Sequence, residues 1–485
     1  MISPLPYEIW AHIASFISKD QLETLYSVNK AFFDISMGVR YKTLWLKCPD
    51  RVAKLKKLQD PVLIAGHIRD LHIDVWILYY FTEARYSQLQ RLRTRFRRLI
   101  WPFAGRQAAP IVTPTKNSIN KVLLQALSSM RSLTSVLFVL HRTDEVKQLL
   151  PMVAHIWSLI SGCIDSLSIH LSACHTSLLL PTFSSICNVK NVSITLQGNW
   201  HSESPICGLV DFLHTASPSL ESLRLEVYSI HTPSSISGIF TSQYTFPKLK
   251  RVDFAFHIAF ESTVVAFLNA HAESIEELKF ASYRPAHAAP FSIAALRLPL
   301  LRSLLLEWDR FGCWNNDVPY RQLWTPGGDL HMLERLEITS TCIDVDHLGL
   351  LCNALKSSGG SRLRYLELPC RTTDASTFDR LSETLPNLRT LILPTLYLSN
   401  PGGSNPEWNI EAFAAEMETR AYPTWTLYDL EITPPFRPRP IPFPSSLRQS
   451  YQVMQIVANH IPNVLPNLLV ETSPCARLND MQYSL

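Results

Sequence analysis

One pattern recurs along most of this chain and restricts what it can fold into: apolar, two residues, apolar, one residue, apolar. It appears as Ile68-x-x-Leu71-x-Ile73, Leu133-x-x-Val136-x-Phe138, Ile164-x-x-Leu167-x-Ile169, Val189-x-x-Val192-x-Ile194, Leu220-x-x-Leu223-x-Leu225 and Leu249-x-x-Val252-x-Phe254. It continues as Ile275-x-x-Leu278-x-Phe280, Leu301-x-x-Leu304-x-Leu306, Leu333-x-x-Leu336-x-Ile338, Leu363-x-x-Leu366-x-Leu368, Leu388-x-x-Leu391-x-Leu393 and Leu427-x-x-Leu430-x-Ile432. From Leu133 onward the steps run from 25 residues (Ile164 to Val189) to 39 (Leu388 to Leu427). The closing alternation is the mark of a short strand with every second side chain turned to a core. Between the strands the spacing predicts helices over Glu145 to Ile160, Ile206 to Ala216, Glu261 to Ala272, Val345 to Ser357, Asp374 to Leu385 and Ile410 to Arg420, with Asp344 and Asp374 as N-caps. A unit of strand, loop and helix has too little surface to bury its apolar face alone, so neighbours must stack and share one core.

The motif and its period resemble those of the leucine-rich repeats, whose period is roughly 20–29 residues. The resemblance implies an α/β fold: a curved solenoid with a parallel sheet on the concave side and helices on the convex side. One departure is clear. The family places Asn or Cys at the ninth motif position, but here that position holds Tyr228, His257, Tyr283, Asp309, Thr341, Arg371 and Leu396. There is no asparagine ladder, so the turns must be satisfied in another way, with irregular loops expected.

The first 47 residues are a different object. Pro6 suits the first turn of a helix, and Ile9, Ile13, Phe16 and Ile17 follow as an apolar stripe. Asp20, with Glu23 three residues on, has capping-box spacing for a second helix carrying Leu22, Leu25 and Val28. Phe32, Phe33, Ile35 and Met37, with Tyr41, Leu44 and Trp45, supply a third apolar group. Some forty residues without a disulfide or metal set bury too little core to stand alone, which points to a partner. Leu5-Pro6-x-Glu8-Ile9, Ile13, Phe16-Ile17, Leu22-x-x-Leu25-x-x-Val28, Lys30-x-Phe32 and Leu44-Trp45 resemble the F-box in order and spacing. The resemblance implies that this module binds the Skp-type linker subunit of a cullin–RING ubiquitin ligase. Leu5, Pro6, Ile9, Ile13, Leu25 and Val28 fall at the family's apolar contact positions; the pair Phe32-Phe33 departs from the usual Arg-Trp type.

Bulk properties exclude several classes. A net charge of +4 over 485 residues is too small to imply nucleic acid or a membrane surface. Ten scattered cysteines without a C-x-x-C pair suit reduced thiols in the cytoplasm or nucleus. Neither a signal peptide nor an unbroken apolar span is expected. No nucleophile elbow, zinc-protease motif, P-loop or dinucleotide fingerprint occurs, so neither catalysis nor a cofactor is expected. Asp344-x-Asp346-His347 looks like a metal set but sits where a helix should start, so capping is the better reading. Arg85, Arg91, Arg93, Arg95, Arg97, Arg98 and Arg106 form the one basic concentration, read as a solvated helix face or as a face for phosphate or an acidic partner. Residues 433–444 are proline-rich and should be extended. A helix around Leu447 to Ile461 and a last motif, Leu465-x-x-Leu468-x-Val470, follow. The organisation expected is thus 1–47 F-box, 48–472 repeats interrupted at 433–444, and 473–485 flexible tail.

These expectations describe an adaptor in which the module docks on the linker and the repeats hold a client protein. The runner-up is a repeat scaffold whose N-terminal helices only cap the array, without a ligase role. Exposure of Leu5, Ile9, Ile13 and Val28 favours the first, burial the second. On the strand face opposite the core, early repeats place Ser166, Ser168, His170, Asn191, Ser193 and Thr195, and middle ones Arg224, Glu226, Arg251, Asp253, Glu277 and Lys279. Later repeats are acidic: Glu307, Glu337, Glu367, Asp429 and Glu431 against Arg335. Arg224, Asp253, Lys279, Glu307, Glu337, Glu367 and Glu431 are the expected client-binding positions, and the acids suit a basic client segment.

Overall fold

The computed structural model describes residues 5–46, 64–74, 124–140, 146–172, 175–180, 183, 188–197, 207–228, 240, 245–256, 262–282, 295–308, 330–339, 342–357, 360–398, 409–433, 452–453, 455–457, 459–460 and 465–466. The arginine-rich stretch, the prolines from 434 to 444, Leu468, Val470, the tail 473–485 and the ninth-position residues His257, Tyr283, Asp309 and Thr341 lie outside them. The described residues fall into two compact units, Met1–Leu249 and Lys250–Leu485.

The first unit opens with three short helices, α1 (Tyr7–Ser15), α2 (Lys19–Thr24) and α3 (Lys30–Arg40). Six parallel strands follow, hydrogen-bonded in chain order: β1 (Thr43–Leu46), β2 (Asp70–Asp74), β3 (Ser135–Leu140), β4 (Ser166–Ser172), β5 (Asn191–Gln197) and β6 (Ser222–Tyr228). Between them run α4 (Val146–Ile160), α5 (Thr176–Leu179) and α6 (Cys207–Ala216). The second unit carries β7 (Arg251–Phe256), β8 (Glu277–Ser282), β9 (Ser303–Trp308), β10 (Arg335–Thr339), β11 (Tyr365–Glu367), β12 (Cys370–Thr373), β13 (Thr390–Leu398), β14 (Asp429–Thr433) and β15 (Leu465–Pro466). These are also parallel and in chain order, with β12 set off the main path beside β13. Its helices are α7 (Ser262–Ala270), α8 (Val345–Ser357), α9 (Ala375–Thr384) and α10 (Ile410–Met417). The chain is therefore α/β with open parallel sheet, and its helix bounds lie within a few residues of those the spacing predicts.

The repeating motif sets the register. Leu71, Val136, Leu167, Val192 and Leu223 stand opposite one another across the first unit. Val252, Leu278, Leu304, Leu336, Leu366, Leu391 and Leu430 do so across the second. In all twelve motifs the three apolar positions are buried, none more than 3% exposed. Opposite them the strands alternate to half-buried or exposed residues, so each sheet has one core face and one outer face. Helix and loop side chains complete the core. Phe183 meets Phe138 of β3 and Trp157 of α4 at ring separations of 5.3 and 5.1 Å, and Phe254 of β7 meets Phe267 of α7 at 6.1 Å.

A second regularity links successive repeats at strand entry. Within each unit the carbonyl of a motif's second residue accepts the N–H groups of the second and third residues of the next. Arg69 thus receives Thr134 and Ser135, Thr134 receives Asp165 and Ser166, and Asp165 receives Lys190 and Asn191, at 2.9–3.0 Å. In the second unit Glu276, Arg302, Glu334, Arg364 and Arg389 accept in the same way, at 2.7–3.1 Å. Backbone groups at strand entry are satisfied by backbone.

Two local expectations are corrected. The N-cap of α2 is Ser18, whose hydroxyl accepts from the Gln21 N–H, while Asp20 lies inside the first turn where a carboxylate suits the helix dipole. Leu44 and Trp45 do not belong to the helical bundle. They lie on β1, in register with Leu71 and His72 of β2. Lys42 gives its carbonyl to Arg69 and Asp70, so Tyr41-x-x-Leu44-x-Leu46 is one more copy of the repeat frame. Asp344 and Asp374 cap their helices as expected, accepting from His347 and Thr377 at 2.8 and 2.9 Å. The second forms a capping box.

Candidate functional site

Two surfaces gather the residues singled out above. The first is the helical module, which has a small core of its own: Ala14, Leu22 and Phe32, with Trp10, Ile17, Leu25 and Ile35 packed around it. The Trp10 and Phe32 rings lie 5.1 Å apart. Buried Ser36 donates to the Leu22 carbonyl at 2.8 Å, tying α3 to α2, and Asn29 caps α3 by accepting from Phe32. Ile17 apart, the α1 stripe of Ile9, Ile13 and Phe16 lies outside that core. Leu5 is 50% exposed, Ile9 45%, Ile13 38% and Val28 58%, with Pro6, Tyr7, Phe16 and Tyr26 exposed beside them in sequence. Leu25 is half-buried and belongs to the module's own packing. Exposed apolar side chains at this density exceed the scattered ones of an ordinary surface.

The second surface is the outer face of the second unit. Register places Asp253, Lys279, Leu305, Glu337, Glu367, Ile392 and Glu431 in one row across β7, β8, β9, β10, β11, β13 and β14. Glu307 stands two residues along from Leu305 and pairs with Lys279 at 3.8 Å. The row is less bare than its sequence suggests. Arg335 donates from Nε to Glu337, and its guanidinium lies 3.9 Å from the centre of the Tyr365 ring. The Tyr365 hydroxyl donates to Glu367 at 3.1 Å. Even so, burial holds the Glu367 carboxyl above the ordinary carboxylate range, and repulsion from Glu337 and Glu431 adds to it, against the Tyr365 hydrogen bond and the Arg335 charge. Burial likewise raises the Asp429 carboxyl, opposed by a bond from Thr390.

Arg224 lies on the outer face of the first unit, opposite Ser193. It pairs with buried Glu226, whose other carboxylate oxygen accepts from Thr195 and Tyr228 at 3.1 and 3.3 Å. Glu226, Arg335 and Tyr365 were not among the expected client-binding positions. Aligning the third, fifth and seventh motif positions of consecutive repeats brings each beside its partner.

Asp344 and His347 act as a helix cap, and the described residues contain no group of three His, Cys, Asp or Glu placed to hold a metal ion. Cys163, Cys342, Cys352 and Cys370 are free thiols, with burial pushing Cys342 and Cys370 up to about 12. No described helix is long and apolar enough to cross a membrane. No protein-family model matches the chain, and no curated protein matches its sequence.

Proposed function

We propose that this chain is a substrate-recruiting adaptor of a cullin–RING ubiquitin ligase, its helical module docking the Skp-type linker and its repeats holding the client. It makes no bonds itself. Its contribution is proximity, raising the effective concentration of client lysines near a ubiquitin-charged enzyme. The observation that carries this reading is the exposure of Leu5, Ile9, Ile13 and Val28 on a module whose own core is filled by other side chains. Helices serving only to cap the array would turn those residues inward. The outer sheet faces, lined by polar and charged side chains, are the client-holding surface in this reading.

The test is capture of a purified Skp-type linker by the full chain and by Ile9→Asp. An aspartate buried at an apolar interface without a partner weakens binding by roughly a hundredfold or more. Because Ile9 is 45% exposed and lies outside the module's core cluster among the described residues, the variant should unfold at the wild-type temperature. Failure of the wild-type chain to capture the linker, or wild-type capture by Ile9→Asp, sinks the assignment.

A further inference from the structure

The row on the outer face of the second unit carries a spacing that no single strand reveals. Lys279, Leu305, Glu337, Glu367, Ile392 and Glu431 follow one another on neighbouring strands, all half-buried. Two apolar stations thus bracket two carboxylates, with a third carboxylate beyond. Neighbouring strands lie about 4.8 Å apart, which puts Leu305 and Ile392 about 14 Å apart and the midpoint of Glu337 and Glu367 about 7 Å from each. An extended chain advances about 3.4 Å per residue and turns alternate side chains to one side, so its residues i, i+2 and i+4 fall at the same three stations. A helix does not fit, since its i+4 and i+7 residues rise by about 6 and 10.5 Å.

We infer that this row binds an extended segment of a partner protein, laid across the strands, with the pattern apolar-x-basic-x-apolar-x-basic. The apolar side chains rest on Leu305 and Ile392, the first base lies between Glu337 and Glu367, and the second reaches Glu431. Charge complementarity selects this occupant. At the third, fifth and seventh motif positions of β9, β10, β11, β13 and β14 the charged residues are Glu307, Glu337, Glu367, Asp429 and Glu431 against the single base Arg335. Arg335 illustrates how a cation sits here, on a carboxylate and over the Tyr365 ring. Its charge does not cancel the repulsion Glu367 feels from Glu337 and Glu431. The inference rests on the client-holding half of the proposed adaptor, but it is measured without any ligase component. Either can fail while the other stands.

The experiment is fluorescence anisotropy of the full chain with two labelled synthetic peptides. One has serine at each x of Leu-x-Lys-x-Leu-x-Lys; the other has the same composition with its two lysines adjacent and its two leucines adjacent. The patterned peptide should bind about tenfold tighter or better, with affinity falling as salt rises. Glu367→Lys should remove that preference, as should Ile392→Ser, in chains whose unfolding temperature shows them folded. Equal binding of the two peptides by the wild-type chain overturns the inference, whatever the variants do. So does a preference that survives both substitutions.

Discussion

Arg335 and Tyr365 hold the third position of consecutive repeats, and the guanidinium of one lies over the ring of the other, 3.9 Å from its centre. Each also serves a carboxylate two residues along its own strand, Arg335 to Glu337 and Tyr365 to Glu367. Four side chains on two strands therefore form one linked group on the outer face.

Removing the Tyr365 hydroxyl should be felt at Glu367. Tyr365→Phe keeps the ring under Arg335 but deletes the hydrogen bond that favours the charged carboxylate. The Glu367 carboxyl should titrate higher still, followed by carboxyl carbon chemical shifts, and the unit should lose about 1 kcal/mol at neutral pH. An unchanged titration would mean the bond is not formed in solution.

Glu367 itself should be dispensable to the fold. Its carboxyl is raised from the ordinary 4.5, chiefly by burial, so the charged form is disfavoured in the folded state relative to the unfolded. That cost is absent below 4.5, grows as pH rises from there to the raised folded value, and is complete above it. Glu367→Gln should therefore equal or exceed the wild type in urea resistance at pH 7, with the gain gone at pH 4.

His271 should make the second unit acid-sensitive. The ring is buried, its Nδ1 lies 2.8 Å from the Phe267 carbonyl, and burial lowers its affinity for a proton below the ordinary 6.5. The unfolded chain then binds a proton that the folded chain refuses. Stability present above pH 6.5 is lost as pH falls from 6.5 toward the lowered folded value. His271→Gln should flatten that loss in urea unfolding between pH 7.5 and 5.

Core and outer positions of neighbouring strands should respond very differently. Leu366→Ala and Leu391→Ala remove fully buried side chains and should each cost about 2–5 kcal/mol. Glu367→Gln, one residue from Leu366 and on the opposite face, should cost little. Comparable losses at all three positions would mean the strand phase is wrong.

The twelve motif copies were legible because burial and register depend on one short spacing that each copy repeats. Their helices were legible for a similar reason, since Asp344 and Asp374 announce the starts of α8 and α9 in side-chain chemistry. The strand β1 was missed because its first motif position is Tyr41, half-buried at the end of α3, and Leu44 and Trp45 look equally at home in a helical bundle. The cap of α2 was misplaced by two residues because Ser18 and Asp20 both offer a suitable oxygen, and only backbone geometry separates them. The links between Arg335 and Tyr365 and between Thr195 and Glu226 span 30 and 31 residues of sequence, so they emerge only once consecutive repeats are laid in register.

The carbonyl at the second motif position has a consequence for how such a chain tolerates change. Because two N–H groups of the next repeat close on that one oxygen, successive repeats are aligned at strand entry. Whatever lies between the end of one strand and the start of the next is free to differ in length, as the steps of 25 and 39 residues do. Residues added in a connecting segment away from its buried side chains leave the alignment intact. A single residue inserted between Arg364 and Leu366 would turn every following side chain of β11 to the wrong face. Editing such a chain is safe by the paragraph and ruinous by the letter.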